Sequence, residues 1–189
     1  MRVPNKNTWL SIIIGLAFVA IILRFIPPYV KPVLKLELHK NRGAISHLQQ
    51  PRDITEILTY WVDHLNLHHR NGLIHPKLGP LGWNENFFVD LSSRFTLAQA
   101  GQYRFVVGSD DGFALKINGR TLCQQLNDQP YRRQSCQTHL APGEHQLELT
   151  YFQGYGQAGL TLEFGSAQAG SSMHYWGQPI EGVTYQQEK

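Results

Sequence analysis

The 189-residue chain is long enough for one domain of ordinary size with short appendages, and its net charge is +3. Residues 1–42 hold seven Lys or Arg and one Glu, a charge of +6, so the remaining ten Lys or Arg and thirteen Asp or Glu give −3. A mildly acidic globular part argues against nucleic acid as the partner.

An apolar stretch, residues 9–26, follows a short basic segment, residues 1–8. Its length is at the short end of what a membrane-spanning helix needs, and Arg24 is its only charge. Trp9 and Tyr29 bracket it as interfacial aromatic residues bracket membrane helices. A cleaved signal peptide is the alternative, but no small-residue cleavage site closes the run. The pattern predicts an uncleaved transmembrane signal anchor over residues 9–26.

Residues 27–51, which follow the anchor, are rich in basic residues and show little strand pattern. Charged segments of this kind tend to extend, so the sequence predicts a stalk or linker. The alternative is that the basic residues rest on anionic lipid headgroups.

The next segment, residues 52–72, has the pattern of an amphipathic helix. Asp53 with Glu56 three residues later resembles a capping box, and apolar residues follow at helical spacing. Asn71 and Gly72 are typical of a helix end. We expect a short amphipathic helix over residues 52–72.

Four histidines lie in or near this segment: His64, His68, His69 and His75. On a helix, His64 and His68 would share one face, at the spacing found in zinc sites. No Cys and no suitably placed Glu joins them, and a zinc site needs three or four convergent ligands. The pattern therefore favours a polar helix end with partly packed histidines.

Apolar residues alternate with polar ones on both sides of a short acidic loop. One parity is apolar in each run: Tyr103, Phe105 and Val107 before the loop, and Phe113, Leu115 and Ile117 after it. A period of two predicts half-buried strands, and the Asn118-Gly119 dipeptide that follows is a strong hairpin signal.

The loop between these strands is Ser109-Asp110-Asp111-Gly112. Adjacent carboxylates repel unless a cation relieves them, and oxygen-rich loops suit calcium. An ordinary polar turn is the alternative, because Ser, Asp and Gly are common turn residues. Taken alone, this tetrapeptide favours the turn.

The loop is one of a series of short motifs that follow one another from Trp83 to Phe164. The series runs Gly-x-Tyr-x-Phe, Ser-Asp-Asp-Gly, Leu-x-Ile-Asn-Gly, Leu-x-x-Gly-x-His, Leu-x-Tyr and Gly-x-Ala-x-Leu. This order resembles the PA14 (protective antigen fourteen) domain, a β-sandwich of bacterial toxins, glycosidases and yeast cell-surface adhesins. The resemblance implies an all-β fold: an antiparallel β-sandwich over residues 73–165, preceded by the transmembrane helix and the amphipathic helix.

The resemblance also implies a metal site. In the calcium-dependent adhesins of this family, two consecutive aspartates joined by a cis peptide hold the ion, and Asp110 and Asp111 match them. A second loop adds an Asn side chain and main-chain carbonyls; here Gln153 stands in the place of that Asn. The predicted metal ligands are Asp110, Asp111, Gln153, Tyr155 and Gln157.

Sugar hydroxyls would complete such a calcium shell, with Tyr155 stacking on a sugar face. The resemblance therefore makes Asp110, Asp111 and Tyr155 the predicted glycan-binding residues, with calcium as the cofactor. The alternative is that one aspartate caps the hairpin through main-chain N–H groups and holds no ligand.

The chain contains two cysteines, Cys123 and Cys136, on either side of a polar segment. An even pair in an exported domain predicts a disulfide, which would add about 3 kcal/mol of stability. The alternative is two thiols in a reducing compartment. The tail, residues 166–189, is rich in small residues and then in aromatic ones, and we expect it to return as an added edge strand.

These features predict a single-pass protein of the inner (cytoplasmic) membrane, with its carboxyl-terminal domain in the periplasm or outside the cell. Charges flanking the anchor favour the opposite orientation, but the adhesin resemblance and the cysteine pair outweigh them. The predicted function is glycan or polysaccharide binding. The alternative is a structural subunit that docks a protein partner in an envelope or surface-polysaccharide assembly. No enzyme is expected, because no separated carboxylate pair or nucleophile motif is evident.

Overall fold

The computed structural model describes residues 6–25 and 28–186, so the basic segment 1–8 lies largely outside the described residues. The one helix in this part of the chain is α1, Lys6–Phe25. The strands are β1 Leu34–Asn41, β2 Ile54–Val62, β3 His68–His69, β4 Gly72–His75, β5 Gly79–Pro80, β6 Phe87–Leu97, β7 Gly101–Asp110, β8 Phe113–Ile117, β9 Arg120–Gln125, β10 Arg132–Leu140, β11 Gly143–Gln153, β12 Gly159–Ser166, β13 His174–Tyr175 and β14 Val183–Gln186.

Two antiparallel sheets form the domain. The first has the order β2-β1-β6-β11-β8-β9, with β14 also paired to β6, and the second has the order β10-β7-β12-β13. A third, small sheet has the order β3-β4-β5. The predicted antiparallel, mostly β fold is confirmed.

Alternating side chains of the two sheets form one main apolar core. The predicted period of two is observed on β8, where Phe113, Leu115 and Ile117 are buried and the residues between them are not. On β7, Phe105 and Val107 are buried in the same cluster. Burial of one parity from each strand fixes the strand register, because a slip of one residue would expose the apolar set.

The predicted amphipathic helix over residues 52–72 is wrong. Most of its apolar residues lie on β2, which pairs with β1 in the register Leu38↔Leu58. The segment is rich in β-branched and aromatic residues, which favour a strand once a partner is available. The expected capping box is replaced by strand-end contacts, in which the Asp53 N–H donates to Asn41 Oδ1 at 2.7 Å.

The predicted stalk over residues 27–51 is also wrong. Strand β1 lies inside the first sheet between β2 and β6, and its Leu34, Leu36 and Leu38 are buried in the main core. After it, Ile45 and Leu48 pack with two phenylalanines in a smaller core. The apolar residues of β1 alternate with polar ones, so its basic residues face outward while its leucines face the core. The sandwich therefore begins at β1 and not at residue 73.

The tail after residue 165 belongs to the sandwich. Strand β13 pairs with β12 at the edge of the second sheet, and β14 pairs with β6. Between them, Trp176 is fully buried, with its ring against those of Phe95 and Phe164. The predicted boundary at residue 165 is therefore too early, and the domain extends through β14.

Helix α1 covers the stretch predicted as a transmembrane anchor, except Ile26, which lies outside the described residues. Its large apolar side chains from Trp9 to Phe25 are exposed. Within the described part of the chain, no helix is both long and apolar enough to cross a membrane.

Cys123 on β9 and Cys136 on β10 form a disulfide, as predicted, with their Cα atoms 6.2 Å apart. The two strands lie at the edges of different sheets, so the bond ties the two sheets together. It also closes the segment between them, which includes Gln129 and Tyr131.

Removal of this disulfide by the double substitution Cys123→Ser and Cys136→Ser is expected to destabilise the domain by about 3 kcal/mol, because the unfolded chain regains loop entropy. This corresponds to a fall of roughly 6–12 °C in the unfolding midpoint. Thermal and denaturant unfolding would measure the loss, and chemical reduction of the native protein should reproduce it. An unchanged midpoint in both experiments would contradict the prediction.

Candidate functional site

The two adjacent aspartates lie at one end of the sandwich, where the chain passes from the second sheet to the first. Asp110 ends β7, and Asp111 lies in the short connection to β8. The peptide bond between them is cis. Their side chains are among the few buried charged groups, with exposed fractions of 6% and 5%.

Main-chain N–H groups from two other loops hold the carboxylates. The N–H of Tyr131, just before β10, donates to Asp110 Oδ2 at 3.0 Å. The N–H of Gly154, just after β11, donates to Asp111 Oδ2 at 2.7 Å. The hydroxyl of Tyr151, on β11, donates to the main-chain carbonyl of Asp110. Three loops that are distant in sequence therefore meet at this carboxylate pair.

Burial makes the ionised pair unfavourable. It raises the pKa of the Asp110 carboxyl, although the Tyr131 N–H opposes the rise. Burial also raises the pKa of Asp111 to about 6, where the Gly154 N–H opposes the rise and the neighbouring Asp110 charge adds to it. Among the described residues, no Lys or Arg forms an ion pair with either carboxylate. The described Lys and Arg side chains therefore supply no counter-ion to the ionised pair.

Gly154 allows the close approach of the second loop. A methyl group at this position would collide with the carbonyl oxygen of Ile45 and lie 3.3 Å from Asp111 Oδ2. The Gly154 carbonyl accepts the Asn86 N–H at 2.9 Å, which fixes the orientation of the peptide. Ile45, which lies in the segment predicted as a stalk, therefore packs against the loop that holds Asp111.

Gln153 and Gln157 contact each other at the base of the loop. The Gln153 side chain is fully buried, and its Oε1 lies 2.6 Å from the Tyr151 hydroxyl, whose single proton it shares with the Asp110 carbonyl. Its Nε2 donates to the Gln157 carbonyl at 2.8 Å. Both ends of the Gln153 amide are thus engaged within the protein, and its role as a metal ligand stays a prediction.

Tyr155 lies at the tip of the same loop, and 85% of its surface is exposed. No packing constraint accounts for an aromatic side chain this open, so the ring is available to a ligand. Its predicted role in glycan binding stays a prediction.

Tyr131 and Gly154 were not predicted as site residues, because both act through main-chain N–H groups, which leave no side-chain signature in the sequence. Tyr131 is further placed by its ring, which stacks on His68 with centroids 3.7 Å apart, and by its hydroxyl, 2.9 Å from Thr161 Oγ1. The glycine between Gln153 and Tyr155 was the one available signal for a close approach at that loop.

A second polar cluster surrounds Asp63 at the end of β2. Asp63 Oδ1 lies 2.6 Å from His64 Nδ1 and 3.0 Å from His75 Nε2, and Lys77 Nζ donates to Oδ2 at 2.8 Å. These three acidic and imidazole groups are close enough to share a metal ion. However, His75 Nδ1 accepts the N–H groups of Lys77 and Leu78, which places the ring proton on Nε2, facing Asp63.

A protonated Nε2 cannot coordinate a metal, so the geometry favours a structural hydrogen-bond network over a zinc site. His68 is not in this cluster, because the segment is not helical and its ring stacks on Tyr131. The zinc-like spacing of His64 and His68 therefore has no structural counterpart.

The carboxylate of Asp63 is expected to stabilise the fold in a pH-dependent manner. Burial raises its pKa, but hydrogen bonds from Lys77, His75 and His64 outweigh this and lower it from 3.8 to about 2. A lowered carboxylate pKa contributes stability above pH 4 that is lost as the pH falls towards 2. Asp63→Asn should therefore reduce the free energy of unfolding by about 2 kcal/mol at pH 6.

Denaturant unfolding between pH 6 and pH 3 would measure this difference, which should shrink as the pH falls. Asp53→Asn is the matched control: Asp53 pairs with Arg42 at an exposed position, so a loss below about 1 kcal/mol is expected. Equal losses for the two variants, or a loss that does not vary with pH, would contradict the assignment.

Comparison with known proteins identifies the family. The sequence model of the PA14 domain matches residues 79–183, which is more than half of the 189 residues. The chain belongs to the PA14 domain family. The resemblance found in the motif order is thereby confirmed, and the structure adds β1 and β2, which precede the matched residues.

Solved structures share the fold of this PA14 domain. The PA14 domain of the MpAFP antifreeze protein has a TM-score of 0.59 at 14% identity, over 80% of this chain and 89% of that one. The PA14 sugar-binding domain from an RTX adhesin has a TM-score of 0.59 at 21% identity, over 75% and 94%. Epithelial adhesin 9 A domain from Candida glabrata, solved with Galb1-3GlcNAc, has a TM-score of 0.55 at 12% identity, over 82% and 89%. The comparison with curated proteins finds no match.

Proposed function

We propose that this PA14 domain is a non-catalytic glycan-binding module that uses a calcium ion held by Asp110 and Asp111. The observation that carries the proposal is the buried carboxylate pair, which has no cationic side chain as a partner within the described residues. A hard divalent cation with oxygen ligands is the chemical group that such a pair accommodates.

The surrounding loops fit a bound cation. Gly154 leaves room for close approach of the second loop to Asp111, and the main-chain N–H groups hold one oxygen of each carboxylate in place. The ligands we propose are the carboxylates of Asp110 and Asp111 with main-chain carbonyls of the loop from Tyr155 to Gln157. Gln153 would act as a positioning residue, because its buried amide fixes the Gln157 carbonyl.

The ligand class is supported by the exposed ring of Tyr155, which lies in the loop that begins at Gly154, whose N–H holds Asp111. An aromatic face can stack on the apolar face of a sugar ring, while sugar hydroxyls complete the coordination of a calcium ion. Two structural neighbours are described as a sugar-binding domain and as an adhesin in complex with Galb1-3GlcNAc.

Calorimetry on the purified full chain, stripped of metal with a chelator, would test the proposal. Calcium should bind with one site per chain, and a glycan array should show binding only when calcium is present. The double variant Asp110→Asn and Asp111→Asn should lose both signals. If neither calcium nor any glycan binds, the proposal is overturned. If calcium binds but no glycan does, the glycan-binding part is overturned and the calcium site is structural.

We also propose that the domain lies outside the cytoplasm and is attached to a membrane by helix α1. The disulfide is typical of an oxidising compartment. Helix α1 exposes apolar side chains along its described length, and a helix that is apolar all round is normally covered by lipid or protein. Flotation with lipid vesicles should recover the full chain, and deletion of residues 1–33 should leave the domain in the supernatant.

A further inference from the structure

Strand β2 forms an open edge of the first sheet. Within the described residues it pairs with β1 on one side, and no strand pairs with its other side. From Glu56 to Val62 its register with β1 is regular, and the only irregularity lies at its beginning, next to Ile54. A regular seven-residue edge exposes a row of main-chain N–H and C=O groups that are ready to pair.

The open edge of β2 lacks most of the features that keep an edge strand from pairing with another chain. It contains no Lys and no Pro, and Glu56 is its only charged residue. Two large apolar side chains are open on it, with exposed fractions of 57% for Ile57 and 38% for Trp61. Natural sheets normally protect such an edge with charges, prolines or a covering segment, so an unprotected one indicates an interaction surface.

We propose that β2 pairs antiparallel with β2 of a second copy of this chain, about a two-fold axis at Thr59. In such a pair the two sheets become continuous, and the residues opposite each other share one face of the sheet. With a two-fold axis perpendicular to the sheet, an odd-numbered residue of one copy must face an odd-numbered residue of the other, and an even-numbered one an even-numbered one. Only a few pairing registers of the two strands meet this condition.

The register centred on Thr59 is the one that the side chains favour. It places Ile57 of each copy opposite Trp61 of the other, and cross-strand pairs of aromatic and β-branched residues stabilise antiparallel sheets. It places Glu56 opposite Val62, so that no two carboxylates face each other. A register centred one residue later would set Ile57 against Asp63, which is unfavourable for the apolar side chain.

An engineered cross-link in the full chain, purified in mild detergent, would test this register. Thr59→Cys introduces the only free thiol, because Cys123 and Cys136 are bonded to each other. The two Cβ atoms would face each other at about 5 Å, so a disulfide-linked dimer should form under mild oxidation. Thr55→Cys is the control: its two copies would lie about 26 Å apart along the strands and should not cross-link.

Light scattering of the unmodified chain should give twice the monomer mass of 21.6 kDa after correction for detergent. Trp61→Lys should weaken the dimer at least about tenfold, because it removes both Ile57–Trp61 contacts. Leu78→Lys, at an exposed leucine outside β2, should leave the mass unchanged. A monomeric chain, or equal cross-linking of the two cysteine variants, would overturn the proposal; capture of a foreign peptide on β2 by a monomeric chain would do so as well.

Discussion

Asp111→Asn is expected to make the calcium-free PA14 domain more stable at pH 7 and to weaken the calcium binding that we propose for it. Burial raises the pKa of Asp111 from 3.8 to about 6, so the folded state favours the protonated group. A raised carboxyl pKa means that stability is full below pH 4 and is lost as the pH rises through 6. The ionised group therefore costs up to about 3 kcal/mol at pH 7, which a neutral amide avoids.

The same substitution should weaken calcium binding about 100-fold, since it removes one of the two proposed charged ligands and such losses amount to roughly 3 kcal/mol. Asparagine keeps an oxygen that can accept the Gly154 N–H, so the loop geometry is retained. Protons should also compete with calcium for Asp111, so the stabilisation by calcium should be larger at pH 7 than at pH 5.

Thermal unfolding with chelator and with millimolar calcium, at both pH values, would measure these effects. Asp128→Asn is the matched control, because Asp128 is an exposed carboxylate near Asp111 and should change neither response much. The assignment fails if the wild type is stabilised equally by calcium at both pH values, or if the Asp111 variant responds to calcium as the wild type does.

Trp176→Ala is expected to cost about 3–5 kcal/mol of folding free energy, a fall of roughly 6–20 °C in the unfolding midpoint. The indole is fully buried and its ring lies against Phe95, Phe164 and Tyr185. Its main chain is also held in the domain, because the Trp176 carbonyl accepts the Leu65 N–H at 2.8 Å. Removal of the ring leaves a cavity that the surrounding rigid rings cannot fill.

Trp176→Phe is the control, because it keeps an aromatic ring in the core. Among the described residues the indole N–H has no hydrogen-bond partner, so its loss removes no bond, and a cost near 1 kcal/mol is expected from the smaller volume. Denaturant unfolding of the three proteins would rank them. Equal stability of wild type and Trp176→Ala would contradict the place of Trp176 in the core and show that the tail adds little to the stability of the sandwich.

The motifs around Asp110 and Asp111 predicted much of this molecule correctly. The alternation of Phe113, Leu115 and Ile117 identified β8, and the even number of cysteines in a domain expected to be exported identified the disulfide. Residues 52–72 were mistaken for a helix because apolar residues in Ile54–Val62 fit both periodicities, and pairing with β1 decided between them. Local propensity is weak compared with the hydrogen bonds and burial that a neighbouring strand supplies.

By itself, the sequence determined the family, the strands on both sides of the acidic loop and the loop itself, because each depends on short motifs of residues close together in the chain. Only the tertiary structure decided that β1, Trp176 and the Gly154 N–H belong to the same domain and site. Those contacts join residues far apart in sequence, and their free energy comes from burial and main-chain hydrogen bonds that no local pattern records.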